Sequence, residues 1–480
     1  MDYPDAPKGS QNRPWQVETN GINKVTEEER IGKLSDLFWI WFGANIGILA
    51  VVYGAIILSF GMNFLQGVLI ILSGTASFFL VGAFSVAGRN GGAPMMTLSR
   101  KVFGIYGNIL PNAVSWVSLV GWETISVITG TYALAALFSM VWPGSFMAVV
   151  IASIILMVGS TIVAGLLGQA TLVVIQTWAS YIFGALTILV IVLLVPQTHW
   201  DMVLSRPLGP WLGGFLPALT IIIAGTGLSW ANAAADYSRY MPHSTRGTSI
   251  VWTTTLGGGI PLVVLMLTGF LLATQVPSLA TTTNPIQVIR DALPRWAAIP
   301  YLITAAGGLI VEGDLSLYSS GLNLLNMFVP LTRYKTVVVD AVIMIVGTVY
   351  VVLIAQNFFG PFESFVVLLG VGLAAWAGVF LVDQVIMSRH NANDYSPSLL
   401  YPGTSATPIP GVKWPAVIAW IIGVMVGLLF TTSPFFNGPL AHGIFASSSL
   451  EVLFAFLAGG LMFLTLNRRF SSSARESDRS

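Results

Sequence analysis

Three acids stand where acids are costly. Glu123, Glu312 and Asp314 lie within stretches that are otherwise apolar and long enough to cross a bilayer. No Lys or Arg falls at comparable depth in any such stretch, so the sequence offers these acids no basic partner. A charge at the bilayer centre costs about 2.5–3.5 kcal/mol on insertion scales, and acids kept there face an interior cavity or carry a proton. Helical spacing separates two of them. Glu312 shares a face with Ser316 and Ser319, whereas Asp314 points toward the face of Tyr318. One acid is assigned to substrate or coupling and the other to a structural hydrogen bond. The competing reading is a pair of protonated acids bonded to nearby carbonyls, with no transport role. Asp236, Asp340, Asp383, Glu363 and Glu451 fall near span ends, where solvation or helix capping is expected.

The same stretches are interrupted in two places. Phe42-Gly43-Ala44-Asn45-Ile46-Gly47 sets an Asn between glycines, and Gly225-Thr226-Gly227-Leu228-Ser229-Trp230 is a similar small, polar break. Broken helices expose backbone groups that must line a cavity, and breaks at matching positions of two halves point to an inverted repeat with a central binding site. Close packing through small residues is the plainer alternative for either break alone.

These residues need a frame. The chain is 55% hydrophobic and 9% charged, against about 25% charged in soluble domains. A spanning helix takes about 20 mostly apolar residues, and twelve such spans are predicted: Leu37–Phe60, Leu65–Ala87, Ile105–Val141, Phe146–Leu167, Leu172–Val195, Gly214–Ala235, Ile250–Thr274, Pro300–Phe328, Val337–Phe358, Phe365–Met387, Pro415–Thr431 and Leu450–Leu466. The third is too long for one simple span and predicts a tilted helix plus an interfacial piece. With the N-terminus in the cytoplasm, 18 of the 21 Lys and Arg residues fall on the inside; only Arg206, Arg290 and Arg295 fall outside. Cytoplasmic loops are expected to be enriched in this way, so count and orientation support each other, with both termini cytoplasmic. The N-terminal stretch does not have the pattern of a signal peptide, so the first span is expected to be retained. The tail to about Gly32 and the end from Ser471 are low in apolar residues and are expected to be mobile. Thr282–Leu293 could form a short surface helix.

Trp39, Trp41, Trp142, Trp200 and Trp211 fall near predicted membrane surfaces and read as an interfacial belt. Trp116, Trp122 and Trp230 lie deeper, where stacking on a solute is open to them. Net charge is +1, which gives no basic face for nucleic acid, and cysteine is absent. The four histidines, His199, His243, His390 and His442, fall in loops without metal-ligand spacing. No metal, cofactor or enzyme activity is expected. A channel would need selectivity rings or constrictions that sequence does not exclude; a receptor role fits the matched breaks less well than transport.

Several motifs resemble a known family. Gly91-Gly92-Ala93-Pro94 through Leu98-Ser99-Arg100, Phe103-Gly104, Gly107-Asn108 and Gly121-Trp122 are similar to the entry to span three of the nucleobase:cation symporter-1 family, the purine–cytosine permeases and their hydantoin and allantoin relatives. Ala235-Asp236-Tyr237-Ser238-Arg239-Tyr240-Met241-Pro242 after span six is the most specific match, and Tyr318-Ser319-Ser320-Gly321-Leu322 is a third. The resemblance runs from about Trp39 to Met387.

It implies an all-α, leucine-transporter-type fold: a cytoplasmic tail over 1–36, inverted five-helix repeats over 37–196 and 197–388, two more helices over 389–470, and a tail over 471–480. It also implies a permease importing a flat N-heterocycle, cytosine or a purine first, across the cell membrane by alternating access. Aromatic rings would sandwich such a solute while polar groups read its edge. The residues this assigns to substrate are Asn45, Trp116, Trp122, Glu123, Gly225, Gly227, Ser229, Trp230 and Ser316. Glu123 falls where sodium-coupled hydantoin carriers have an amide, and Ser316 where many members have an Asn. Sodium-coupled relatives also place hydroxyls just before that position. Here Ile310 and Val311 stand there and offer no side-chain oxygen for a hard cation. Proton coupling through Glu312 or Asp314 is therefore expected, with a sodium symporter of a hydantoin- or allantoin-like ring as the alternative.

Overall fold

A helix satisfies its own backbone, which is what a chain this apolar requires if it is to lie in lipid. The computed structural model describes residues 13–16, 18, 20–142, 144–280, 282, 284–355, 359–387, 395–404 and 410–477, with side chains as far as Asn467 apart from 280 and 359–363. Apart from one isolated bridge, Thr432 to Asn437, the regular structure of the described residues is helical. Each predicted span coincides with helix. Spans two to ten are Phe64–Gly91, Ile109–Val141, Phe146–Leu166, Gln169–Gln197, Trp211–Ala231, Gly247–Gln275, Arg295–Asn326, Arg333–Ala355 and Ser364–Met387, each long and apolar enough to cross a membrane. Span one is a bent pair, Leu34–Asn45 and Leu49–Ser59, meeting at 55°. Trp414–Phe430 and Glu451–Asn467 are shorter apolar helices at the positions of spans eleven and twelve.

Helix starts are written locally. Asn63 accepts from the Gln66 amide and Gln66 answers to the Asn63 amide, Ser145 accepts from Ala148, and Asn284 from Gln287. Each pair satisfies amides that the first helical turn leaves open.

Packing links the two halves reciprocally. Span one packs on span seven, and span six on span two. Span four packs on span eight, and span nine on span three. Span five packs on spans one and eight, and span ten on spans six and three. Exchanging spans one to five with six to ten turns each of these contacts into another of them, and the most extensive crossing joins the equivalent spans three and eight. This is the pairing a two-fold relation between five-helix halves requires.

Several expectations change. The third apolar stretch is one 33-residue helix, Ile109–Val141, without the interfacial piece expected within it; a separate, largely buried helix, Met95–Phe103, precedes it. The surface helix forms over Pro285–Ala292, burying Ile286 and Ile289. The tail up to Gly32 is docked where it is described: Asn20, Ile22, Val25 and Arg30 are buried, because buried polar partners on spans five, six and eight reward its ordering. At the other end, helix continues to Ser477.

Trp41 is fully buried, packed edge-on against Phe78, Trp230 and Tyr237 at 5.4–5.6 Å, so it is core and not belt. Trp142, Trp200 and Trp211 are exposed. Asp340 is buried, accepting from Trp116 Nε1 at 3.0 Å and Ser320 Oγ at 2.7 Å, and Glu451 is buried in the first turn of its helix. Neither is solvated. Asp383 pairs with Lys101 at 2.8 Å. Asp236 does cap, accepting from the Met95 amide at the start of the helix Met95–Phe103 at 2.7 Å. The Glu363 side chain and His390 lie outside the described residues.

Candidate functional site

The two breaks are real and their edges are held by side chains. In span one, helix stops at Asn45 and resumes at Leu49; Asn45 Nδ2 turns back to the Trp41 carbonyl at 2.8 Å. In span six, helix stops at Gly225 and resumes at Gly227, with Thr226 between at φ −124° and ψ −100°. Thr226 Oγ1 donates to the Ile222 carbonyl at 2.6 Å, and Ser229 Oγ donates to the Ala224 carbonyl. Tyr53 OH, in the outer half of span one, donates to the Gly225 carbonyl at 3.3 Å. A carbonyl freed by one broken helix is thus answered by the other. A methyl group on Gly227 would fall 2.4–2.5 Å from the backbone and hydroxyl of Ser77 in span two, so glycine permits the close approach there.

Four predicted residues share a property. Asn45, Trp122, Ser229 and Trp230 keep 6–7% exposure where most of the surrounding core has less, as expected for groups along a narrow internal space. Trp122 is edge-on to Phe365 of span ten at 5.6 Å, and Trp230 edge-on to Trp41 at 5.6 Å. Gly121 lies under the Phe365 ring, which a Cβ would meet at 1.9 Å.

Trp116 is on another side of span three. Its N–H is bound to Asp340 of span nine, and with Gly121 and Phe365 it lines a cleft of about 350 Å³ between spans three, nine and ten. Glu123 is seven residues on from Trp116 and so on the same side, with Asp340 its charged neighbour. Both carboxyl oxygens of Glu123 are buried without a hydrogen-bond partner, as is Ser316 Oγ.

The span-eight acids part as their spacing predicts. Asp314 faces span four: a methyl on Gly165 would lie 3.5 Å from its Oδ1. Like Glu123 it has 0% exposure and unpartnered oxygens. Glu312 faces the break in span one, where a methyl on Gly47 would lie 2.9 Å from its Oε2. Glu312 alone of the three is half-buried and not sealed. Two turns along span eight, Thr304 and Ala305 line a mostly apolar cavity of about 40 Å³ together with Ile46 and Ile48 of the break.

Sequence reasoning missed three groups. Gln176 of span five donates to the Val311 carbonyl at 2.8 Å and presses its Oε1 against Gly43; an amide inside an apolar span was the available signal. Ser115 Oγ accepts from Asn232 and Asn323, both at 2.8 Å, tying spans three, six and eight. The third is Glu18, which pairs with Arg239 at 3.1 Å. The motif after span six is now explained by its contacts: Asp236 caps the helix Met95–Phe103, Tyr237 OH donates to the Leu315 carbonyl, Ser238 Oγ donates to the Ser85 carbonyl, and Arg239 and Tyr240 meet Glu18.

Comparison with known proteins agrees in fold and family. The family described as "Permease for cytosine/purines, uracil, thiamine, allantoin" matches residues 24–452. YxlA of Bacillus subtilis (strain 168), provisionally named a purine-cytosine permease, is 29% identical over 441 residues, covering 89% of this chain and 91% of its own length. The purine-cytosine permease FCY2 of Saccharomyces cerevisiae (strain ATCC 204508 / S288c) is 28% identical over 303 residues, 61% of this chain and 52% of that protein. Among solved structures, Mhp1, a nucleobase-cation-symport-1 family transporter in a closed conformation with bromovinylhydantoin bound, superposes with a TM-score of 0.71 at 18% identity, covering 95% of this chain and 96% of that one.

Proposed function

This chain belongs to the family of permeases for cytosine/purines, uracil, thiamine and allantoin, and from that premise we propose that it imports a nucleobase or related flat N-heterocycle, cytosine or a purine first, across the cell membrane by proton-coupled alternating access. The basic face, which carries the docked N-terminal segment, is then cytoplasmic, and residues 37–196 and 197–388 are the two repeats, followed by two further helices over 389–470.

The solute is read as lying between the breaks of spans one and six and the facing spans three and eight. Trp122 and Trp230 offer ring faces, and Asn45, Ser229 and the Gly225–Gly227 backbone offer polar edges. Stacking on such rings rewards a flat heterocycle. Trp116 and Glu123 are reassigned from the solute to the interface with span nine, on the strength of the Trp116–Asp340 bond.

The observation that carries the coupling assignment is Glu312. It is the intramembrane acid that keeps exposure, and it adjoins the span-one break. A proton carrier must meet water on one side and feel a conformational change on the other; Asp314 and Glu123, sealed from solvent, do neither as directly. Opening or closing of the break changes what surrounds the carboxyl, and so couples its proton to the solute.

The test is uptake in vesicles against a panel of unlabelled nucleobases, with and without sodium. Uptake that persists without sodium, collapses with an uncoupler and is competed by cytosine or a purine is expected; strict sodium dependence sinks the proton assignment. Trp230→Ala is expected to raise the KM for uptake at least ~10-fold, since base–aromatic stacking contributes about 1–3 kcal/mol. Trp116→Phe is expected to leave KM within about two-fold while lowering thermal stability, by removing one hydrogen bond to a buried carboxylate.

A further inference from the structure

We infer that Glu18 and residues 20–32 form a latch across the cytoplasmic ends of the helices, with Glu18 the positioning residue that holds the solute pathway shut on that side. This rests on the transport reading above.

One carboxylate joins four parts of the chain. Glu18 Oε1 pairs with Arg239 Nη2 at 3.1 Å and accepts from Tyr240 OH at 2.6 Å and Tyr318 OH at 3.3 Å. Its Oε2 accepts from the Gln169 amide, at the start of span five, at 2.9 Å. An acid at a helix N-terminus answers an open amide and the helix dipole together. Arg239 in turn donates to Tyr318 OH at 2.8 Å and to the Gly21 carbonyl at 2.8 Å. Both charged groups are fully buried. The end of span six, the start of span five and the inner part of span eight therefore close on a single residue of the N-terminal segment. Gly168, at φ +78°, leaves room for it: a Cβ there would meet Glu18 Cβ at 2.3 Å.

The rest of the segment continues the closure. The Val25 amide donates to the Gly92 carbonyl at 2.7 Å, Arg30 Nη1 to the carbonyls of Arg89 and Met241 at 2.7 and 3.1 Å, and the Gly32 amide to the Tyr240 carbonyl at 3.0 Å. Tyr401 OH reaches back to the Ile22 carbonyl at 2.8 Å. The strap then runs directly into the inner half of span one, which begins at Leu34. Span one packs on spans five and eight, so in the transport reading a cytoplasmic opening separates that half and the end of span six from them. Separation cannot keep both the Gln169 and the Arg239 contacts of Glu18, and it strips a buried guanidinium of its partner, which is costly. The closed side is held by that difference.

The absence of cysteine from the chain makes the test direct. Ser180 is buried on span five against span one, its Oγ 3.4 Å from the Trp39 carbonyl, and Ser180→Cys gives a single thiol behind the latch. Its reaction with a membrane-impermeant maleimide is followed in inside-out vesicles without solute or gradient. Adding Glu18→Gln or Tyr240→Phe is expected to raise the labelling rate ~10-fold. A second reporter, Ser153→Cys, buried in span four away from the strap, is expected to be unaffected by either change. Unchanged labelling of the Ser180→Cys reporter overturns the latch, and so does a parallel rise at both reporters, which would mean general loosening. Should Glu18→Gln fail to fold, Tyr240→Phe, which removes one hydroxyl, decides alone. Labelling reports the latch whether or not solute moves, whereas wild-type uptake reports the transport reading, so the two can fail separately.

Discussion

Glu312→Gln is expected to abolish accumulation driven by a proton gradient while leaving solute exchange down its own gradient intact. The substitution keeps the shape and polarity of the side chain beside Gly47 and removes the titratable proton. With one proton per solute, a gradient of one pH unit supports about ten-fold accumulation, since one unit corresponds to 1.36 kcal/mol; the variant should accumulate no solute beyond equilibrium. The measurement is counterflow and pH-jump uptake in proteoliposomes. Retained ten-fold accumulation in Glu312→Gln would move the coupling role to Asp314. Glu123→Gln, remote from the break and facing span nine, is expected to keep both accumulation and affinity. A loss of affinity there would return Glu123 to the solute.

The second large effect concerns the crossing of spans one and seven. Gly54 and Gly269 let the two backbones touch. A Cβ on Gly54 would fall 1.9 Å from the Met266 carbonyl oxygen, and one on Gly269 would fall 1.9 Å from that of Val51. Each obstacle is backbone, so no rotamer change relieves it. Overpacking commonly costs 1–3 kcal/mol, and a clash with backbone on both sides of one crossing should reach the upper end or beyond. Gly54→Ala and Gly269→Ala are expected to lower the thermal unfolding midpoint in detergent by several degrees and to lose uptake, because this crossing fixes the outer half of span one, which carries Tyr53 to the break in span six. Gly159→Ala, where nothing lies within 4 Å, is the matched control and should be silent. Equal midpoints for all three would show that the crossing yields more than its geometry allows.

Much of this protein is legible in its sequence, for a physical reason. Lipid forces each span to be a continuous apolar helix or to be broken only around a cavity, so each of the twelve stretches marked by hydropathy coincides with helix among the described residues. The Gly-Ala-Asn and Gly-Thr-Gly runs located both breaks, and the period of the helix separated Glu312 from Asp314. The motif from Ala235 to Pro242 identified the family without revealing what those residues do.

What the sequence left open depends on which faces meet. Trp116 and Trp122 are equally deep and equally aromatic; only the packing of spans nine and ten against span three gave Trp116 to Asp340 and set Trp122 edge-on to Phe365. Glu123, Glu312 and Asp314 carry the same warning of cost, yet only Glu312 keeps partial exposure, and it lies against Gly47 in the break of another helix. Composition marked the N-terminal tail as mobile because polar residues rarely bury themselves. Glu18 is buried because a guanidinium, two phenols and a helix N-terminus, brought together from spans five, six and eight, supply every partner its carboxylate needs. Local chemistry thus determined the helices, their breaks and the acids at depth; long-range packing decided which acid keeps partial exposure, which indole is bound to Asp340, and that a polar tail is buried against spans five, six and eight.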